Sequence, residues 1–147
     1  MLWIADIEAN GLDDATQIHC IVLKQYKGDK WVKLYGDSLK DISKYKDDIF
    51  VFHNGITYDI PLINRLLDVT IGECIDTLIL SKMCFPLRPT HNLNDWGEYF
   101  GIEKPKHEDW STFSPEMLHR CEEDVKITEL LYEHLMKETG PFYETRG

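Results

Sequence analysis

The sequence predicts an α/β fold with a mixed sheet, in which three antiparallel strands are followed by parallel strand-helix units flanked by helices. Two observations predict it. The chain opens with short apolar segments separated by turn residues, which is typical of antiparallel strands. Further along, a buried strand and then a weaker one alternate with segments of helical periodicity, which favours strand-helix units with helices on the faces of the sheet.

Each element follows from a local pattern. The opening strands are residues 2–8, 18–26 and 31–35, with turn residues Gly28-Asp29 between the last two. The next elements are a helical segment at 38–45, a strand at 49–53, a helix at 58–67, a weak strand at 73–76 and helices at 77–83 and 92–100. Ser114-Pro115 is a capping serine followed by a proline at the first helical position, which predicts a long helix that ends before Gly140-Pro141.

Length and composition limit the classes of protein. With 147 residues and 43% hydrophobic side chains, the chain is expected to form one domain, residues 1–147, with its own core. No apolar run is long enough to span a membrane and no export signal is recognisable, so we expect a cytoplasmic protein without a membrane partner. The formal charge of −10 lacks the basic footprint of a tight nucleic-acid binder, so any such function must come from a local site.

The first strand carries two acids where apolar side chains are expected. Because side chains alternate along a strand, Asp6 and Glu8 share a face with Leu2 and Ile4. One interpretation is that the strand reaches solvent at Asp6. The other is that the sheet continues, because Ile7 extends the apolar pattern of the opposite face. The pattern alone leaves both interpretations open.

The long helix repeats this anomaly. Its inward stripe consists of five residues, Met117, Cys121, Thr128, Leu131 and Leu135. Asp124 falls on that stripe, seven residues from both Met117 and Leu131. A buried carboxylate is costly unless a cation or a hydrogen-bond network compensates it, so either a salt bridge or a bound cation is expected at Asp124.

A third polar group follows the strand at 49–53. Asp59 is expected near a helix N-terminus, where a carboxylate is favoured and can act as a cap. It also follows the carboxyl end of a strand, where α/β folds bind ligands, while Asn54 and Tyr58 fit a turn or the core equally well. Together with Asp6, Glu8 and Asp124, Asp59 completes a set of four acids that could converge on divalent cations.

Three motifs together resemble the DEDD (DnaQ-like) superfamily of 3′→5′ exonucleases, which share a ribonuclease-H-like fold. They are Asp6-Ile7-Glu8 with the following Ala-Asn-Gly-Leu, then Asn54-x-x-x-Tyr58-Asp59, and then His119-x-x-x-x-Asp124. The resemblance extends over nearly the whole chain, through segments such as residues 52–61 and 74–78, to the proofreading exonuclease domain of T-odd phage replicative DNA polymerases. No polymerase region accompanies it, so we expect one exonuclease domain that is either freestanding or a fragment of a longer protein.

The resemblance implies a cofactor and a reaction. Two divalent cations, Mg²⁺ or Mn²⁺, would be bridged by Asp6, with Glu8 and Asp124 completing the shell of the first and Asp59 serving the second. The implied reaction is hydrolysis of a terminal phosphodiester, which releases nucleoside 5′-monophosphates from a 3′ end.

The resemblance also assigns a base and substrate contacts. The phage branch has a tyrosine four residues before the last aspartate, but this chain has Arg120 there, and His119 matches the histidine branch instead. His119 is therefore the expected general base. Leu12, Asn54 and Tyr58 are implied to contact the substrate, although Leu12 fits a core position equally well.

The expected partners are the 3′ end of single-stranded DNA and a separately encoded DNA polymerase. The expected location is the cytoplasm, either of a cell or of a phage-infected host. Exoribonuclease or oligonuclease activity would use the same groups, and a non-catalytic acidic accessory or decoy module is the alternative from another class.

Overall fold

The computed structural model describes residues 1–12, 14–102, 109 and 111–146, with side chains described through residue 138, and it confirms the predicted α/β fold. The strands form one five-stranded sheet in the order β3-β2-β1-β4-β5. They are β1 (Leu2–Ala9), β2 (Ile18–Gln25), β3 (Trp31–Tyr35), β4 (Ile49–Phe52) and β5 (Glu73–Asp76). The first three strands pair antiparallel, β4 pairs parallel with β1, and β5 pairs parallel with β4.

The helical elements match the predicted segments with two differences. They are a 3₁₀ helix (Gly36–Tyr45), a π-helical turn (Gly55–Asp59), α1 (Ile60–Leu67), α2 (Thr77–Cys84), α3 (Leu93–Tyr99) and α4 (Pro115–Arg146). The helix expected at 58–67 is preceded by the wider π-helical turn, which begins directly after β4. The expectation that α4 ends before Gly140-Pro141 is wrong, because the helix continues past the proline to Arg146, even though proline removes one backbone hydrogen bond and crowds the preceding turn.

The two faces of the sheet pack on different helices because β1 alternates strictly. Trp3, Ala5 and Ile7 join the core on one side, with α1 and the 3₁₀ helix above them. Ile4 points to the opposite side and packs with Cys121 and Val125 of α4. The face that carries Asp6 and Glu8 is therefore the face covered by α4.

The predicted inward stripe of α4 is confirmed, since all five of its residues are fully buried. Further along the helix, Leu131 and Leu135 pack against Trp96 of α3, so Trp96 is a core residue. Among the described residues, no helix is long and apolar enough to cross a membrane.

A buried carboxylate holds the turn after β4. Asp76 accepts hydrogen bonds from the backbone N–H groups of Asn54 at 2.9 Å, Ile56 at 3.1 Å and Leu78 at 2.9 Å. The turn also depends on Gly55, because a Cβ at that position would lie 2.4 Å from the Cβ of Phe52. The turn that leads to Asp59 is thus fixed by a neighbouring strand and by one close approach of the backbone.

We expect Gly55→Ala to destabilise the protein by about 1–3 kcal/mol, the usual cost of forcing an extra carbon into a packed site. Urea unfolding measures this change. Gly72→Ala is the matched control, because its added Cβ meets only Lys46 O at 3.6 Å, an ordinary contact. Equal stability of the two variants would mean that the turn does not need the close approach at Gly55.

Candidate active site

The acids of β1 lie inside the sheet and not beyond its end. Asp6 pairs with Val22 and Glu8 with Cys20 of β2, and Ile7 between them is 5% exposed. The interpretation that the strand reaches solvent at Asp6 is therefore wrong. Because β1, β4 and β5 run parallel, their carboxyl ends meet at one edge of the sheet, where the polar segments after them come together.

Asp124 reaches the same place from α4. It is 6% exposed, and its charge acts directly on Asp6. Burial raises the pKa of Asp6 well above its ordinary value, and the negative charges of Asp124, Glu8 and Asp59 raise it further. The thiol of Cys121 donates a hydrogen bond to Asp6 Oδ2 at 3.4 Å, which acts in the opposite direction.

Asp59 enters from the π-helical turn after β4. It is 4% exposed, and although it precedes α1 its side chain makes no capping hydrogen bond, so the cap interpretation is wrong. Burial raises the pKa of Asp59 well above its ordinary value, followed by the charges of Asp76 and Glu8. The backbone N–H of Ile7 donates to this carboxyl, which ties the turn to β1 and lowers the pKa.

The four predicted acids are thus brought together by three separate segments, and their side chains suit a hard divalent cation. Ligand atoms of Asp6, Glu8 and Cys121 lie within 4.8 Å of one another. Burial raises the pKa of the Cys121 thiol well above its ordinary value, so Cys121 stays protonated and serves as a hydrogen-bond donor. The carboxylate oxygens are then the available metal ligands, and Mg²⁺ and Mn²⁺ prefer such oxygen ligands.

A cavity of about 510 Å³ opens over these acids, lined by Asp6, Glu8 and Asp124 together with Leu12, Tyr58 and Arg120. Leu12 is 83% exposed, so the interpretation of Leu12 as a core residue is wrong. The hydroxyl of Tyr58 donates to Gly11 O at 2.7 Å, and burial followed by the nearby acids raises the pKa of Tyr58 to about 12.

A second cavity of about 450 Å³ shares Leu12 and Tyr58 with the first, so these two side chains form a common wall. Asn54 lines this second cavity from a left-handed backbone conformation with a φ of 70°, and the Thr57 hydroxyl donates to its side chain. All three predicted substrate contacts therefore border a cavity beside the acids. Their contact with a substrate stays a prediction.

His119 and Arg120 occupy different positions from those that the motif suggests. The His119 side chain is 57% exposed, and its Nδ1 lies 3.9 Å from Oε2 of Glu122. Among the described residues that line the acidic cavity, Arg120 is present and His119 is not. Helical phase accounts for this: Arg120 is about 40° from Asp124 around the axis, whereas His119 is about 140° away.

Sequence reasoning underrated two residues at the site. Arg120 could have been placed by its spacing of one helical turn from Asp124. Asn10 shapes the loop after β1, because its Oδ1 accepts hydrogen bonds from the backbone N–H groups of Thr16 at 2.9 Å and Gln17 at 3.1 Å. Its signal was an asparagine directly after a strand, where such side chains stabilise turns.

Comparisons with known proteins bear on the class. No protein-family model matches the chain. The chain is 27% identical to the DNA-directed DNA polymerase of Escherichia phage T7 over an alignment of 191 positions, gaps included, which covers 95% of this chain. It spans only 27% of the length of that polymerase, and the same share of the polymerase of Enterobacteria phage T3.

Solved structures match the fold. NrnC of Brucella melitensis bound to pGG superposes with a TM-score of 0.77 at 17% identity, covering 99% of this chain and 76% of NrnC. RNase D of Escherichia coli, an exoribonuclease, gives a TM-score of 0.72 at 19% identity over 95% of this chain and 40% of RNase D. Fold and clustered acids together define a ribonuclease-H-like protein with a four-carboxylate site. The likeness to phage DNA polymerases that the motifs indicate is confirmed, and the solved structures confirm the expected fold.

We expect Asp6→Asn to raise the unfolding temperature of the metal-free protein at pH 7, because it removes one of several repelling carboxylates. Relief of 1 kcal/mol corresponds to roughly 2–4 °C for a chain of this size. Since the folded-state pKa of Asp6 is raised, the native carboxyl destabilises the fold only as pH rises above its unfolded value of about 4. The gain should therefore disappear near pH 4, as thermal unfolding at both pH values would measure.

The same measurement reports cation binding. A ligand that binds only the folded state stabilises it, so Mn²⁺ should raise the unfolding temperature of the unaltered protein and do so less for Asp6→Asn. Asp41→Asn is the control, since Asp41 lies on the 3₁₀ helix, which packs on the face of the sheet opposite α4, and it pairs only with Lys44 at 3.7 Å among the described ion pairs. An identical response of all three proteins to Mn²⁺ would remove Asp6 from the cation site.

Proposed function

We propose that this chain, as a single domain spanning residues 1–147, is a metal-dependent 3′→5′ exonuclease. It hydrolyses terminal phosphodiesters of single-stranded or frayed DNA and releases nucleoside 5′-monophosphates. The observation that carries this proposal is the convergence of Asp6, Glu8, Asp59 and Asp124 from β1, the turn after β4 and α4. The similarity to phage DNA polymerases supports a role in proofreading during DNA replication.

The four acids would hold two divalent cations, Mg²⁺ or Mn²⁺, and a structure of NrnC with bound Mg²⁺ supports this choice of metal. When bound, the cations neutralise the phosphate, stabilise the leaving oxyanion and lower the pKa of the attacking water. Asp6 is central because the charges of the other three acids all act on it. Cys121 and the backbone N–H of Ile7 hold the carboxylates of Asp6 and Asp59 in place.

The wall formed by Leu12 and Tyr58 would separate two nucleotides. The terminal nucleotide would occupy the acidic cavity, and the next nucleotide would enter the neighbouring one. Arg65 lines the neighbouring cavity. Its Nη2 donates a hydrogen bond to Ala15 O at 2.6 Å, which would hold the positively charged guanidinium beside the bound nucleic-acid strand. Two bound divalent cations would change the net charge from −10 to about −6, so the protein would grip only a few nucleotides.

The proposed partners are the 3′ end of single-stranded DNA and a separately encoded DNA polymerase. The proposed location is the cytoplasm, either of a cell or of a phage-infected host. A second candidate, degradation of RNA or short oligonucleotides, is favoured by the fold similarity to RNase D and to NrnC bound to pGG. The same carboxylates would serve both activities.

Nucleotide release from end-labelled substrates tests the proposal. With Mn²⁺, the protein should shorten single-stranded DNA from its 3′ end, and Asp6→Ala or Asp124→Ala should abolish this release while the variants remain folded. Asp41→Ala is the charge-matched control and should retain full activity, because Asp41 is exposed outside the site. Full activity of Asp124→Ala would remove the proposed mechanism.

The choice of substrate separates the candidates. Single-stranded DNA, RNA and a mismatched primer of the same length are compared under the same conditions. Faster release from RNA would favour the ribonuclease, and absence of release together with absence of Mn²⁺ binding in calorimetry would favour an acidic accessory module.

The role of His119 as general base stays a prediction. His119 is not among the described residues that line the acidic cavity. His119→Ala should lower kcat by roughly two to four orders of magnitude if the imidazole accepts the proton of the attacking water. The acidic limb of the pH-rate profile should then also change. An unchanged kcat and profile would show that the proton leaves by a route that does not involve His119.

A further inference from the structure

Arg120 occupies a distinctive position. Among the described residues that line the acidic cavity, it is the only basic one. It lies one helical turn before Asp124 on α4 and is half-buried, whereas the neighbouring His119 points towards Glu122. The helix thus presents a guanidinium, not an imidazole, to the cavity that the proposed reaction uses.

The chemistry of a guanidinium limits what Arg120 can do. Arginine stays protonated in proteins, so Arg120 cannot accept a proton as a general base. Arg120 can therefore act through its positive charge and its N–H donors, and not by taking up a proton.

A phosphodiester in this cavity would face a strongly acidic wall. Asp6, Glu8 and Asp124 all line it, and any charge on them that cations leave uncompensated repels a nucleic-acid backbone. A guanidinium offers paired N–H donors that match two phosphate oxygens, and its charge favours an anion that gains negative charge during hydrolysis. No other residue among those described at this cavity supplies that chemistry.

We propose that Arg120 binds the scissile phosphate of the nucleic-acid strand and stabilises the charge that develops on it. This inference rests on the proposed exonuclease function, and it assigns to α4 a phosphate-binding residue on the same face as Asp124. It differs from what the motif resemblance implies, because the phage branch places a tyrosine at this position. Arg120 is then a catalytic residue in its own right and not a substitute base.

The test compares Arg120→Ala, Arg120→Gln and Arg120→Lys with the unaltered protein. Lys126→Ala is the control on the same helix. Lys126 is exposed, forms an ion pair with Glu123 at 2.9 Å, and is not among the described residues that line the cavity. Two quantities are measured for each protein: kcat on end-labelled single-stranded DNA with Mn²⁺, and the affinity for thymidine 5′-monophosphate by calorimetry with Ca²⁺. Thermal unfolding verifies that each variant is folded.

We expect Arg120→Ala to lower kcat about 100- to 1,000-fold, the usual effect of removing one donor to a developing oxyanion. Nucleotide affinity should fall roughly 10- to 100-fold, as expected for the loss of a charged hydrogen bond. Arg120→Lys should regain part of both quantities because it restores the charge, and Arg120→Gln should regain neither. Lys126→Ala should match the unaltered protein.

Two results would overturn the inference. One is a less than twofold change of both kcat and nucleotide affinity in Arg120→Ala, and the other is full recovery by Arg120→Gln, which would reduce the residue to a spacer. Failure of the proposed function looks different, because the unaltered protein would then release no nucleotide from any strand. In that case the calorimetric comparison still decides whether Arg120 binds a nucleotide phosphate.

Discussion

Mutual repulsion among closely spaced and largely buried carboxylates is the constraint on which the site depends. Asp6 and Asp59 have strongly raised pKa values because burial and neighbouring acids both oppose their ionisation. A fold selected for stability alone would replace such residues with apolar ones, since buried like charges cost free energy. The surrounding sheet tolerates the cost because β1 lies between β2 and β4 and its apolar residues are fully packed.

The features predicted well are those with a local period. Alternation along β1 places Asp6 and Glu8 on the same face as Ile4, and the seven-residue spacing on α4 places Asp124 between Met117 and Leu131. Each pattern is written within one element, so a single sequence contains it. The convergence of the acids then follows from the parallel order of β1 and β4, which the alternation of strands and helices predicts.

The features predicted poorly depend on partners far along the chain. The π-helical turn exists because Asp76, at the end of β5, accepts the backbone N–H groups of Asn54 and Ile56. A pattern confined to residues 54–59 contains no trace of that carboxylate. The choice between His119 and Arg120 depends on information of another kind. A motif records the order of residues, whereas the face of a helix depends on phase, and phase places Arg120 closer to Asp124 around the helix axis.

Under the proposed function, Arg120 and the acids would also explain how so acidic a protein engages an acidic polymer. The net charge of −10 opposes long-range attraction, so binding energy must come from short-range contacts within the site. A half-buried guanidinium in the cavity over three carboxylates provides one such contact, and the exposed Leu12 beside it provides apolar area for a base. Under the proposed function, contacts confined to this cavity would favour a strand terminus over the interior of a long duplex.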